Sequence, residues 1–401
     1  MEVILRIFIT GLANKRLLLP VFLLLLTEMV FTLDIKIIKP RLGSNNPLIQ
    51  EFIQEFNEEA ERLFMDYENL INSELNFLPD SVPNLAGAFA NTSVFSSDGA
   101  SQRGYEGYNI FSFTIGFMGA LQFPKKFAIN GIMDTLNGGE EETGFNFIKD
   151  NMDIGLGLDV QAFNIQIGIN TSKFLLENLY LGFKFSMFDT NRINVIPLSG
   201  FSFKTTSVGI TASYQLITQK RLLGSMLIWR GLNLGTGFIW QNTSLELSPA
   251  TLLDEDLLNF SIGPIEYIGT IDMQFNQSFH LGIKTNTYII PVEVMTSMRL
   301  LWFLNLAIGA GVDIAFGNST INAGGSFYTD NLPPLPYDVT MDVAPALSYS
   351  LGGNSVPNIL SLKIMGSAGF NLGPVIMIDI PVTYYPLDNG YSLGITFGLT
   401  F

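Results

Sequence analysis

The chain closes on an unbroken alternation. Tyr391, Leu393, Ile395, Phe397, Leu399 and Phe401 are apolar, and Ser392, Gly394, Thr396, Gly398 and Thr400 between them are small or weakly polar. Side chains of a strand point to opposite faces in turn, so this segment has one greasy wall and one small, polar wall. The same period recurs upstream, through Phe111–Phe117, Leu179–Met187 and Tyr288–Val292. It is longest through Leu304–Phe316, where Asn305, Gly309, Gly311 and Asp313 stand opposite the apolar set. Between Ile154–Val160 and Phe163–Ile169 the apolar phase slips by one residue. A slip of one swaps the faces of a strand, so it predicts a bulge or kink near Gln161 and Ala162. A phase change also follows Phe201 and Phe203, whereas Ile271–Phe275 and Phe279–Ile283 keep one phase, with Asp272, Gln274, His280, Gly282 and Lys284 on the other face. Pro124–Gly144, Leu245–Leu258 and Gly317–Asp338 are polar, acidic or rich in Gly and Pro, and predict loops. At roughly twenty residues per strand and connection, the stretch from Phe111 onward holds about fourteen strands.

Upstream the texture differs. From Leu48 to Ile71 apolar residues recur at helical spacing, and Glu51, Glu55, Glu58, Glu59, Glu61 and Asp66 fill the other face. Asn46-Pro47 suits the start of that helix, which packs against the periplasmic end of a barrel or enters its lumen. Asn84 to Tyr108 is rich in Gly, Ala and Ser, and is neither a good helix nor a good strand. Leu85, Phe89, Val94 and Phe95 make it too apolar for a free linker, and small residues allow close packing in a confined space. At the start, Arg6, Lys15 and Arg16 precede the apolar run Leu17–Leu33, which reads as a secretory signal, although no small-x-small pattern marks a cut. The expected organisation is a signal over 1–33, an acidic amphipathic helix over 44–80, a lumenal hatch over 81–108, and a β-barrel over 109–401.

Composition sharpens this. Hydrophobic residues are 47% and charged residues 14%, with 38 Gly and 33 Phe. No stretch of about 20 apolar residues follows the amino-terminal region, so helical spanning is not supported. An apolar, alternating chain without spanning helices predicts a single antiparallel outer-membrane β-barrel. Its apolar positions face outer-membrane lipid and its small and polar ones face the lumen. The last strand, Tyr391–Phe401, resembles the terminal strand that the outer-membrane assembly machinery reads. A net charge of −15 argues against nucleic acid. Without Cys there is no disulfide and no thiol chemistry, and the lone His280 leaves no His-based metal site or catalytic triad. The chain is read as a non-enzyme, with no catalytic residue, metal or cofactor.

The phase assigns charged side chains to the inner wall: Asp159, Lys184, Lys204, Asp272, Lys284, Asp313, Lys363 and Asp379, with His280 beside them. Buried charges must be paired or solvated, so these either hold the wall together across the lumen or line a permeation route.

Leu85-Ala-Gly-Ala-Phe-Ala, followed by Asp98-Gly-Ala-Ser-Gln-Arg-Gly-Tyr, precedes the first strand. This plan resembles the FadL/TodX-type long-chain fatty-acid transporters, and among them most closely the spirochete FadL-like proteins. The Asn-Pro-Ala step common after that family's hatch is missing, and the acidic helix is an addition. The resemblance implies a lumen closed by the hatch, with passive uptake of long-chain fatty acids or other hydrophobic small molecules. It carries over Leu85, Phe89, Val94, Phe95 and Arg103 as hatch or ligand positions. A guanidinium such as Arg103 suits either a fatty-acid carboxylate or a wall carboxylate. The alternatives are a general diffusion porin or structural barrel, and a soluble β-rich adhesin.

Overall fold

The structure is a computed structural model that describes residues 32–75, 78–97, 111–123, 157–172, 175–193, 201–224, 226–248, 259–265, 269–274, 276–328, 339–343, 346–372 and 375–400. The expected signal lies outside these residues except at its last two positions, and so does Arg103. Strands β1 (Thr32–Ile38) and β2 (Arg41–Gly43) come first. Two helices follow, α1 (Gln50–Leu75) and α2 (Leu78–Phe95). The wall begins with β3 (Phe111–Gln122), β4 (Gly157–Asn170), β5 (Leu179–Asp189), β6 (Phe201–Ile217), the short β7 (Lys220–Leu223) and β8 (Leu227–Leu247). Next are β9 (Asn259–Ile265), β10 (Gly269–Gln274), β11 (Asn276–Leu300), β12 (Leu304–Tyr328), β13 (Thr340–Val343) and β14 (Ala346–Ser355). The chain finishes with β15 (Leu360–Leu372), β16 (Ile376–Tyr385) and β17 (Gly390–Thr400).

The main sheet has 13 strands, in keeping with the about fourteen expected. Among the described residues ten of them close a ring: β3, β4, β5, β6, β8, β11, β12, β15, β16 and β17, with β17 pairing back to β3 and β12 pairing with β15. Every pairing is antiparallel. Closure leaves no unpaired edge at membrane depth, the one arrangement by which strands satisfy their backbone groups in hydrocarbon. β14 and then β1 continue the sheet alongside the far half of β12, from Ser319 to Tyr328.

The ring has two unlike ends. At the turn end the connections are short: 171–178, 218–226, 301–303 and 373–375. At the loop end four of the five are longer, 123–156, 190–200, 248–275 and 329–359, and only 386–389 is short. The expected loop from Gly317 is a strand as far as Tyr328. The polar residues there stay in the ladder because β11 and β14 both pair with them, beyond the apolar belt.

The faces follow the alternation where the ring meets lipid. On β17 Tyr391, Leu393, Ile395, Phe397 and Leu399 are exposed outward, and Ser392 is buried inward. Leu306, Ile308 and Phe316 do the same on β12. On β4 the phase slip is a bulge: Ala162 and Phe163 stand opposite the single residue Phe117, and Phe163 takes a φ of 55°. The extra residue lets both halves of β4 turn their apolar side out, as Leu158, Phe163, Ile167 and Ile169 do. Aromatic side chains gather at both rims of the belt. Tyr384 stacks on Tyr391 with ring centres 4.9 Å apart toward the loop end, and Trp302, Phe303 and Phe370 form a chain of contacts at the turn end.

Ile395, at the middle of β17, tests the belt. Ile395→Arg should destabilise the folded barrel in lipid vesicles by roughly 2–4 kcal/mol, the cost of a cation near the bilayer midplane. Urea titration of the vesicle-inserted protein reads this, and the inward Ser392→Ala should stay within about 1 kcal/mol.

Candidate functional site

The lumen is built in layers, and α2 supplies the first two. From Ala88 to Ser97 every residue is buried, so the helix is enclosed on all sides. The hatch stretch forms this helix although its composition does not announce one, and although Pro83 sits within it. Enclosure explains the difference: Ala86, Ala88 and Ala90 are slim, and the wall supplies the partners that an isolated helix lacks.

At the loop end, Val82, Leu85, Ala86 and Phe89 pack on Phe203 of β6, Leu245 of β8, Leu281 and Ile283 of β11, Ile321 of β12 and Leu351 of β14. This corrects one expectation about faces. On β11 the apolar residues Leu281 and Ile283 point inward against α2, so His280 and Lys284 are exposed on the outer side and are not lumenal. Lys204 of β6 is outward for the same reason, since Phe203 beside it packs inward. The strands outlast the membrane, and beyond it the apolar partner is the helix within.

The second layer is polar. Asp159 of β4 is fully buried and gathers donors. The Ser96 hydroxyl donates to it at 2.6 Å and that of Thr205 at 3.1 Å, the Gln241 amide donates at close range, and its own neighbour's Val160 N–H lies at 2.8 Å. Gln161 donates to Gln241 at 2.6 Å and to Ser96 at 3.2 Å. Ser93 shares a hydrogen bond of 2.8 Å with Thr287, and Asn91 accepts from the Asn358 N–H at 2.8 Å. The helix is thus tied to β4, to β11 and to the link before β15. Two wall glycines admit it: a Cβ on Gly157 would strike the Ala88 backbone, and one on Gly390 would strike the Phe95 ring.

Below, Phe95 stacks on Tyr385 of β16 with centres 3.9 Å apart. The Tyr385 hydroxyl donates to Asp313 of β12 at 3.0 Å. Lys363 of β15 donates to Asp313 at 2.7 Å and pairs closely with Glu293 of β11. Glu293, Gly311 and Lys363 form one row across three strands, and the flat glycine between leaves the two charged side chains room to meet. This cluster spans the β12–β15 seam. Nearest the turn end an apolar cluster of Tyr180, Met295, Ala307, Met365 and Met377 lies among buried polar wall residues, Ser112, Ser213, Asn233, Ser297, Asn305 and Asp379.

The expected inward residues Asp159, Lys184 and Asp313 are all fully buried, as are the polar wall positions Thr205, Ser207, Gln241 and Thr287. Solvent does not reach this part of the lumen. Lys363 and Asp379 are also buried, while the side chain of Asp272 lies outside the described residues. Leu85, Phe89, Val94 and Phe95 all sit on the enclosed part of α2, the first two in the apolar layer and the last two below it. Glu293 was not anticipated, though a lone carboxylate in Tyr288-Ile-Ile-Pro-Val-Glu-Val-Met is a legible signal of an inward functional position. The Asp159 shell and Tyr385 carry no such signal, because hydroxyls and amides from five segments meet only through the register. Among the described residues no group of three or more His, Cys, Asp or Glu is arranged to hold a metal.

A closed ring, an apolar outer belt and a lumen filled by the chain's own helix define the class: an outer-membrane β-barrel with an internal plug. The family model described as Lsa36-like matches residues 51–401, and the chain belongs to that family. It is this family, not the FadL/TodX type expected from the hatch segment, that is matched at the level of sequence. No curated protein matches the chain. Among solved structures, the translocator domain of the autotransporter NalP from Neisseria meningitidis is 10% identical over 75% of this chain and 92% of that one, with a TM-score of 0.29. The CymD monoaromatic hydrocarbon channel is 11% identical over 79% and 98%, with a TM-score of 0.23. A Pseudomonas aeruginosa FadL homologue is 10% identical over 79% and 96%, with a TM-score of 0.22. At such scores the likeness adds nothing to what the ring itself displays.

Removing the seam cation should be costly. Lys363→Met leaves Glu293 and Asp313 buried together, an uncompensated arrangement worth roughly 3–5 kcal/mol. Urea titration should register that loss, and should register recovery of most of it when Glu293→Gln and Asp313→Asn are added.

Proposed function

We propose that the protein is a plugged outer-membrane channel for the passive uptake of hydrophobic small molecules, long-chain fatty acids among them. The observation that carries this reading is the apolar contact between α2 and the wall at the loop end, where Val82, Leu85 and Phe89 meet Phe203, Leu281 and Ile283. A channel for water and ions has a polar interior. An apolar seam inside the ring is a surface for which a hydrophobic ligand can compete with the helix. A ligand seated there would loosen α2 and expose the polar layer beneath it. The methionine cluster toward the turn end offers a second, smaller apolar patch, adaptable in shape. Leu85 and Phe89 are then the ligand-facing hatch residues, and Val94 and Phe95 hold the plug against the wall. No energy source is required, since a gradient or capture on the far side suffices.

A second reading, a structural barrel that conducts nothing, draws on the full burial of Thr205, Gln241 and Thr287. A general porin is the reading that this burial disfavours.

Equilibrium binding of a fluorescent long-chain fatty acid to the refolded full chain separates these. The transport reading expects saturable binding, no steady conductance in planar bilayers, and a loss of affinity of about tenfold in Phe89→Gln, equivalent to roughly 1.4 kcal/mol. Absence of binding by the folded barrel leaves the structural reading, and steady conductance would establish a porin instead.

A further inference from the structure

We propose that the barrel carries its own amino-terminal module through its lumen, and that residues 32–75 are displayed on the outer face of the membrane. The inference goes beyond the transport reading and does not rest on it, since a barrel that conducts nothing would display the module equally.

The path of the chain carries the argument. Everything before α2 lies at the loop end. β1 runs along β14, with Ile38 beside Ala346, and Ala346 pairs with Tyr328 at the tip of β12. β2 pairs with β13, in the connection between β12 and β15, and holds α1 through hydrogen bonds between Asn57 and the Leu42 backbone at 2.9 and 3.2 Å. α2 then passes inside the ring. Its side chains are bonded to the inner wall at Asp159 and Thr287, and Phe95 is stacked on Tyr385. The next described residue, Phe111, stands at the opposite rim: it pairs with Ile169, and its neighbour Ser112 pairs with Thr400. The wall between is closed on both sides of β3, by β17 and by β4. One chain therefore occupies the loop mouth, the lumen and the turn rim in that order.

The two mouths face different compartments. In outer-membrane barrels the short turns lie on the periplasmic side and the longer loops outside. The short connections 171–178, 218–226, 301–303 and 373–375 share the rim of Phe111, so the loop mouth, and with it β1, β2 and α1, is external. This differs from both positions expected for α1 from its sequence, the periplasmic end of the barrel and its lumen. Glu51, Glu55, Glu58 and Glu61 are exposed, so the acidic face of α1 is open to solvent and to reagents.

The chain has no Cys, so single introduced thiols report sidedness cleanly. Glu55→Cys places one on the exposed face of α1, and Glu177→Cys places one in the 171–178 turn. Glu58→Cys is a second reporter on α1 should the first fold poorly. Intact cells are treated with a membrane-impermeant maleimide, alongside a periplasmic thiol protein as a control for integrity, and barrel folding is checked by heat-modifiable gel migration. The expected result is that the α1 thiol labels in intact cells as fully as after the outer membrane is permeabilised, whereas the turn thiol labels only after permeabilisation. Protection of the α1 thiol in intact cells, or labelling of the turn thiol there, overturns the proposal.

Discussion

Closure of the ring between β12 and β15 is the constraint on which the remainder depends. Neighbours in sequence pair readily through short turns, and β11 and β12 do so along 25 residues each. β12 and β15 are separated by the whole 329–359 excursion, and at membrane depth their eleven-residue ladder, Leu304–Ile314 on one side, stands between a barrel and a sheet with two raw edges. The inner face of that seam is where Lys363 meets Glu293 and Asp313. An ion cluster taken out of water contributes little net stability, but one cation shared by two anions on three strands has a single good register. A slip by one residue would put Lys363 in the lipid belt and strand both carboxylates. The cluster therefore specifies which rows meet, and Tyr385 passes that alignment on to the plug through Phe95.

The plug in turn explains the unequal layers. Where α2 fills the lumen the wall is apolar above, and below it divides between the polar shell of Asp159 and an apolar patch of Ala120, Ile239, Ile289 and Ala315 that meets Val94 and Phe95. Where it does not reach, methionines, a tyrosine and buried polar side chains of the wall fill the space instead. Ten strands make a ring narrow enough for side chains and one helix to occupy.

Much of the wall was legible from alternation alone. β17 and the first half of β12 face as their sequences say, and the slip around Gln161 and Ala162 is the bulge that it implies. Legibility ends where the strand has a second apolar partner. Leu281, Ile283 and Phe203 obey the same period as the lipid-facing residues but point inward, because α2 rather than lipid covers them. A period of two states that faces differ, not which face is which. The strand count is legible only to the extent that strand length is: two strands of 25 residues consume chain that ten-residue strands would have divided further. The polar site was half visible. Asp159, Lys184 and Asp313 stand out as charges in apolar runs, whereas Ser96, Gln241 and Tyr385 become partners only once five segments are set in register.

The enclosed helix also orders events in time. Ala88 to Ser97 cannot be slipped into a finished ring without drawing the amino-terminal elements through a lumen that side chains already fill. The helix must then be held in place while the wall is still open, with β3–β12 curled around it, before the last ladders zip. Its residence is a matter of assembly history as much as affinity. Once the seam is sealed, whatever loosens α2 locally does so without releasing it, and the plug leaves only when the whole barrel is taken apart.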